Sequence, residues 1–483
     1  MPSVTLLWLR RDLRLADNAA LEAARRRGAV VPIFVWNPDE EAPWQPGAAA
    51  RVWLHESLRR MSADLETAGS RLIVRSGDTL DTLRRIARET RADAVHWNRL
   101  CDPTTIPRDE RVKAALTADG LHAQSFNSAL LFEPWTIRTG AGEPYRVFTP
   151  FWKACLAAAQ RTPPAPGGRP RRIPAPEVWP PSEPLDSLRL CPRIPWDAGI
   201  REAWHFGEKA AWERQDRFSE SGLGTYDDHR DRPGLDGTSR LSPALHWGQI
   251  GPRQVWAAVQ ERLESSPSPA WAHSAWSYLR QLVWREFAHH LLFHFPATAQ
   301  APLRAGWKAF PWREDPAALH AWQRGETGYP IVDAGLRQLW ATGWMHNRVR
   351  MIVASFLTKD LLIPWQHGAR WFWDTLVDAD LANNTLGWQW TAGCGADAAP
   401  FFRIFNPVSQ GQKFDPTGAY VRQWVPELAP LPAEFIHRPW EAPATLLRSA
   451  GVALGKTYPR RIIDHAHARD RALRAYERMR TAM

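Results

Sequence analysis

Four short segments carry side chains whose types and spacing can do chemistry. Residues 237–243 read Gly-Thr-Ser-Arg-Leu-Ser-Pro. Hydroxyls, backbone N–H groups at a helix start and the Arg240 guanidinium can together hold a phosphate. Ser242 before Pro243 is also a plain N-cap with proline at the first helical position, and for the segment alone capping is the simpler account. In residues 278–287, Gln281, Trp284 and Arg285 stand at i, i+3 and i+4. On a helix they present an amide, a stacking ring and a cation on one face. A base turned out of a duplex needs such a set, because it must be stacked and hydrogen-bonded. For an isolated helix, a core Trp beside a surface Arg is the plainer reading.

In residues 343–351, Asn347, Arg350 and Met351 share a helical face. An amide, a cation and a thioether can contact a base and its phosphates. His346 between them reads as a satisfied core histidine. Asp378 and Asp380 flank Ala379, with Asn384 close behind. In a turn, two such carboxylates can flank a bound ring and accept from ribose hydroxyls or a ring N–H; as helix caps they would do neither. Trp388 and Trp390 would face opposite ways in an extended chain, one toward a cofactor and the other toward a substrate.

These segments need a frame. Over residues 1–130, short apolar runs at 4–9, 30–36, 71–75 and 94–97 read as buried parallel strands. Residues 19–27, 51–68 and 80–90 read as the helices between them. This predicts an α/β N-terminal domain with an open, Rossmann-like parallel sheet, although no G-x-G-x-x-G follows the first strand. Residues 131–200 read as a proline-rich interdomain linker, since 162–195 hold 11 of the 41 prolines. Residues 201–483 read as a larger all-α domain, with apolar periodicity at 270–294 and 331–360.

Composition narrows the class. The net charge of +10 suits a polyanionic partner, but only 7 of the 61 basic residues are lysine, a bias that GC-rich coding also produces. Nineteen of the 28 tryptophans follow residue 200, more than stability alone favours. Base stacking and redox work with an aromatic cofactor are two uses for them. The four cysteines form no metal-ligand spacing and no disulfide framework, so reduced thiols and no metal site are expected. No membrane-length apolar run and no signal peptide are found, so a cytoplasmic protein is expected.

Taken together and in this order, the segments resemble the DNA photolyase/cryptochrome family over nearly the whole chain. The likeness begins at Trp8-Leu9-Arg10-Arg11-Asp12-Leu13-Arg14 and Asp17-Asn18. It continues through Gly328-Tyr329-Pro330-Ile331-Val332-Asp333-Ala334 to Phe402-Arg403-Ile404-Phe405-Asn406-Pro407. It is nearest to the bacterial class I cyclobutane pyrimidine dimer photolyases.

The resemblance implies FAD in the helical domain. Tyr226, Thr238, Ser239, Arg240, Leu241 and Ser242 would hold its phosphates, with Asp378, Ala379 and Asp380 on its adenosine and flavin side. Asn384 matches the position beside flavin N5. Trp284 and Trp390 resemble the rings that sandwich a flipped dimer, and Arg230, Arg285, Asn347, Arg348, Arg350, Met351 and Gln410 match DNA- or lesion-contacting positions. Trp388, Trp365 and Trp312 match the chain that reduces the flavin. Gln281 stands where class I photolyases carry Glu; its amide can donate a hydrogen bond but cannot shuttle a proton. Six-four photolyases share that Gln, yet carry His where this chain has Asn347 and Met351. Asp109 and Glu110 resemble folate-contacting residues, which would imply a folate-type antenna chromophore, although helix capping explains them as well. The implied activity is light-driven repair of UV-damaged DNA by a monomeric lyase. Its rivals are a six-four photolyase, a signalling photoreceptor and a Trp-rich nucleic-acid binder without cofactor. The chain ends at Met483 just past a basic stretch at 469–480, without the long tail expected of a signalling photoreceptor.

Overall fold

The computed structural model describes residues 3–161, 165–265, 268–398 and 402–481. The chain packs as two compact units: unit 1 takes 1–224, 239–296 and 377–382, and unit 2 takes 225–238, 297–376 and 383–483.

Unit 1 is organised by a parallel sheet of β1 (Ser3–Leu9), β2 (Gly28–Trp36), β3 (Ile73–Ser76), β4 (Ala94–Asn98) and β5 (His122–Phe126), in the order β3-β2-β1-β4-β5. The strands are apolar on both faces: Leu6, Trp8, Val31, Ile33, Val95 and Trp97 share one core cluster, and the alternate residues Leu7, Leu9, Val30 and Ala94 are buried as well. The helices of this unit include α1 (Ala19–Arg27), α2 (Ala48–Thr67), α3 (Thr79–Thr90) and α4 (Thr105–Ala118). Asn18 caps α1 through Leu21 N at 3.1 Å, and Asp78 caps α3 through Asp81 N at 3.0 Å. Gly28 ends α1 in a conformation no side chain would tolerate, since a Cβ there would lie 2.4 Å from Ser3 O. The long α5 (Pro269–His294) completes the part of unit 1 that matters here.

The expected α/β sheet and helical remainder are present. The boundary between them is not where composition put it. The proline-rich segment lies inside unit 1, as an extended strap. Gly167 O and Pro174 O accept from Asp17 N at 3.0 Å and Val30 N at 2.8 Å, while Ile173 N and Glu183 N donate to Ala68 O and Val74 O, both at 2.9 Å. Proline lacks an N–H, but its carbonyl and its neighbours' amides still pair with a sheet edge. A buried guanidinium fastens the same region: Arg14 donates to Gly248 O at 2.9 Å and to Asp17 O and Ser128 O at 2.8 Å.

Unit 2 is helical. Its working elements are α6 (Pro330–Thr342), α7 (Asn347–Ser355), α8 (Trp365–Thr375), the 383–392 portion of α9 (Leu381–Ala392), α10 (Pro407–Phe414) and α11 (His465–Thr481). The periodicity over 331–360 is therefore not one helix. Gly343 stops α6 in a left-handed conformation at φ +68°, and α7 runs into a π-helical turn, Phe356–Asp360. No described helix is long and apolar enough to cross a membrane.

One consequence for stability follows in unit 1. Burial pushes the His96 imidazole down to about 4, helped by the neighbouring His122. Folded His96 stays neutral while the unfolded residue takes up a proton below about 6.5, so stability is lost as pH falls from 6.5 toward 4. His96→Phe keeps a ring against Phe126, 5.3 Å away, and cannot bind that proton. Its melting temperature relative to wild type should rise between pH 8 and pH 5; a difference independent of pH would contradict the assignment.

Candidate functional site

The turn at 239–242 leads into a short helix, Ser242–His246, after Arg240 adopts a left-handed φ of +48°. That helix delivers His246 Nδ1 to 3.4 Å from Asp380 Oδ2. On the other side His289 Nε2 of α5 lies 3.4 Å from the same oxygen. Trp247 Nε1 donates to Val377 O at 3.1 Å. Two segments some 135 residues apart in sequence thus meet in unit 1, the hydroxyl-bearing turn and the Asp378-Ala379-Asp380 turn. All three residues of the latter are buried. Burial alone would push the Asp380 carboxyl up, but His289 and His246 outweigh it and hold the group well below the usual carboxylate range. Burial pushes His246 down in turn, so the imidazole is a neutral N–H donor and Asp380 carries the charge.

Along α5, Gln281 turns its amide onto its own helix and donates to Ser277 O at 3.2 Å. Trp284 is half-exposed, and its ring stacks on Phe148 with centroids 3.7 Å apart and planes at 6°. One face of the indole is backed by a fully buried ring. Arg285 is committed within unit 1, donating to Ala129 O at 2.9 Å beside Glu286. It lines a recess with Arg11, Asp102, His246, His289 and Asp380.

In unit 2, Tyr226 is buried, and burial pushes its phenol up to about 12. The Arg230 guanidinium lies 5.6 Å from the Tyr226 ring centroid. Arg348 pairs with Asp231 at 2.6 Å and lies over the Phe414 ring at 4.4 Å. Asn347 and Met351 meet on one turn of α7, with Nδ2 to Sδ at 4.0 Å, and Arg350 Nε donates to Met345 O at 2.8 Å. His346 is buried and caps α7, its Nδ1 accepting from Arg348 N at 3.2 Å. Gln410 is half-exposed on α10.

Helix α9 carries the rest. Asn384 Nδ2 donates to Ala369 O of α8 at 3.0 Å, which turns its amide oxygen away from that helix. Trp388 is buried against α8 so closely that a Cβ on Gly368 would sit 2.0 Å from its ring. Gly368 and Trp365 are one turn apart on α8, and Arg313 N donates to Leu362 O at 2.8 Å. The backbone beside Trp312 is thereby tied to the approach to Trp365. Trp388 and Trp365 are buried, whereas Trp312 is half-exposed. Trp390 is half-exposed and lines a recess with Ser355, Lys359, Arg403 and Phe405. Because the segment is helical, residues 388 and 390 differ by roughly 200° around the axis, which still sends the two rings to opposite sides.

The whole chain can now be set beside known proteins. Its residues 278–478 match the family model described as the FAD binding domain of DNA photolyase, and residues 5–170 match that described as DNA photolyase. It is 49% identical to the deoxyribodipyrimidine photo-lyase of Agrobacterium fabrum, over 98% of this chain and 97% of that one. It is 40% identical to Cryptochrome-2 of Arabidopsis thaliana, over 100% of this chain and 80% of that one. The chain belongs to the DNA photolyase/cryptochrome family. A solved structure, a bacterial class III photolyase from Agrobacterium tumefaciens, superposes with a TM-score of 0.95 at 48% identity, covering 100% of this photolyase-family chain and 98% of that one.

FAD is the cofactor of this photolyase-family chain. Its residues fit the group. In unit 1 an anionic Asp380 and the imidazoles of His246 and His289 offer acceptor and donors to a ring or a ribose, and the 239–242 turn offers hydroxyls and N–H groups to phosphate. In unit 2 Asn384 presents an amide oxygen. The sequence reading missed His246, His289 and Phe148, and also Gln389, whose buried amide fixes α9 through three hydrogen bonds. His246 lies four residues past Ser242, and that spacing was the available signal. Nothing in the pattern marks Phe148 as the backing of Trp284. Asp109 is buried and bonded to Arg10 at 2.6 Å and to Arg108 at 2.9 Å, while Glu110 is exposed.

Asp380→Asn keeps the shape of the turn and removes the charge that the two imidazoles face. Purified variant protein should retain at least tenfold less FAD per chain than wild type, read from flavin absorbance against protein. Equal occupancy would show that Asp380 is structural only.

Proposed function

We propose that this chain uses light to split cyclobutane pyrimidine dimers in DNA. The observation that carries the reading is the aromatic platform of unit 1, Trp284 with one face packed on Phe148; in unit 2, Trp390 is half-exposed on α9. A ring backed by a buried ring has one face left to give, and stacking a base on it is worth about 1–3 kcal/mol. FAD, when bound, supplies the light-driven one-electron chemistry. The side chains orient and screen. Gln281 donates an N–H to the dimer's carbonyl oxygens, and Arg230, Arg348, Arg350 and Gln410 face phosphate. The recess lined by Trp8, Arg10, Trp36, Glu40, Glu41 and Arg108 offers rings and charges to a second, light-harvesting chromophore.

Lesion choice rests on α7. Six-four chemistry calls for proton-donating groups at the lesion. Asn347 and Met351 present an amide and a thioether, which carry no titratable proton, and Gln281 adds another amide. With cyclobutane-dimer and six-four oligonucleotides offered side by side to the fully reduced protein under near-UV light, only the dimer should be lost. Repair of the six-four lesion, or of neither, would overturn the reading.

We further propose that Trp388, Trp365 and Trp312 relay an electron inward to FAD. Indole is readily oxidised, and Trp388 and Trp365 are buried while Trp312 is half-exposed. Trp388→Phe should slow flavin photoreduction at least tenfold while dimer loss by chemically reduced protein persists. Unchanged photoreduction would remove the relay.

A further inference from the structure

Lys359 is a fully buried lysine that none of this chemistry uses. It sits in the π-helical turn after α7, where the altered winding brings Lys359 and Asp360 into the core side by side. Asp360 turns to α11, its Oδ1 2.5 Å from His465 Nδ1. Lys359 Nζ turns the other way and donates to Ala392 O, the last residue of α9. Two ring faces lie beside it: Nζ is 3.5 Å from the Phe402 centroid and 5.2 Å from that of Trp307.

That geometry selects a protonation state. An ammonium has three N–H bonds, and the site offers three acceptors, one carbonyl and two π faces. A neutral amine would turn its lone pair onto an electron-rich ring. Burial pushes the amine well down. The negative end of α9 and the two ring quadrupoles oppose that shift by favouring the ammonium. The neighbouring Cys394 thiol is pushed up to about 12 by burial and is therefore uncharged, and Arg403 lines the same recess as Lys359.

Trp307 needs such a charge. Its ring stacks on Phe310 at 5.1 Å, and Phe310 lies 4.5 Å from Trp312, the outer member of the relay. A hole on Trp312 is thus one phenyl ring from Trp307. Beyond Trp307 lies Tyr476 on α11, 5.9 Å away, half-buried and stacked on Phe402 at 4.7 Å. This aromatic file would lead the hole to a phenol. Tyr476 would give one electron to the oxidised Trp307 and one proton to solvent, leaving a tyrosyl radical that holds the oxidising equivalent. The oxidant throughout is the light-excited oxidised flavin.

We infer that Lys359 is an electrostatic gate: its ammonium, held over the Trp307 and Phe402 faces, makes Trp307 hard to oxidise and keeps the hole on Trp312. The inference rests on the relay proposed above. Lys359 acts through Trp307 and touches neither cofactor nor lesion in this role, so it is a positioning residue.

The test uses FAD-loaded full-length protein under blue light, with the radical identified by electron paramagnetic resonance. Wild type should give a tryptophan radical and no tyrosyl signal. In Lys359→Met a tyrosyl radical should appear, and Tyr476→Phe in that background should abolish it. Lys359→Gln removes the charge but keeps a donor for Ala392 O, and it should behave as the Met variant does, which covers a folding failure of the latter. A merely structural lysine would change FAD content or melting temperature without changing which residue carries the radical. A wild-type radical pattern in both variants overturns the gate. If Trp388→Phe leaves photoreduction intact, the relay fails and the gate with it; if that variant is silent and both Lys359 variants look wild type, the gate alone fails.

Discussion

The buried carboxamide of Gln389 decides where the working face of α9 can point. Its oxygen accepts from Leu303 N at 2.9 Å, and its nitrogen donates to Thr298 O at 2.7 Å and Ala301 O at 2.8 Å. An amide satisfied on both ends cannot rotate away without leaving buried polar groups unpaired, at about 1–3 kcal/mol each. With Gln389 pinned, its neighbours have no freedom of azimuth. Trp388 must enter the α8 contact, Trp390 must stay at the rim, and Asn384, a turn and a half earlier, must meet Ala369. One hydrogen-bonded residue thereby sets the placement of Asn384, Trp388 and Trp390, the residues proposed as cofactor contact, relay ring and stacking platform.

Unit 1 follows the same logic with charge in place of an amide. Asp380 is held between two imidazoles, and that bracket joins the turn at 239–242 to α5. The stack of Trp284 on Phe148 then orients the ring that offers itself to a base. In both units the residue that meets a ligand is fixed by a neighbour that does not, as a preorganised site requires.

Much of this was legible in the sequence. Strands β1–β4 follow from short continuous apolar runs, and helices α1–α3 from the stretches between them. Strand β5 was not, because its exposed His122 and Gln124 alternate with small residues at the sheet edge and leave no apolar run. The strap over 165–195 was misread for a physical reason: proline content reports backbone stiffness, not whether the stiff segment is docked. The break between α6 and α7 was invisible because the apolar pattern passes smoothly through Gly343. Trp284, Trp390, Asn347 and Asp380 stood out by residue type. Phe148, Gln389 and Lys359 did not, since each works by touching a residue distant in sequence, and a one-chain pattern carries no record of that contact.

The central claim is that this chain, with Trp284 as a stacking platform, holds a pyrimidine dimer where it can take an electron from FAD. The fluorescence lifetime of the chemically reduced flavin tests it directly. Adding a single-stranded oligonucleotide with one cyclobutane thymine dimer should shorten that lifetime severalfold, and the undamaged strand should leave it unchanged. A lifetime that does not respond to saturating dimer would mean that no electron reaches the lesion, and would contradict the account.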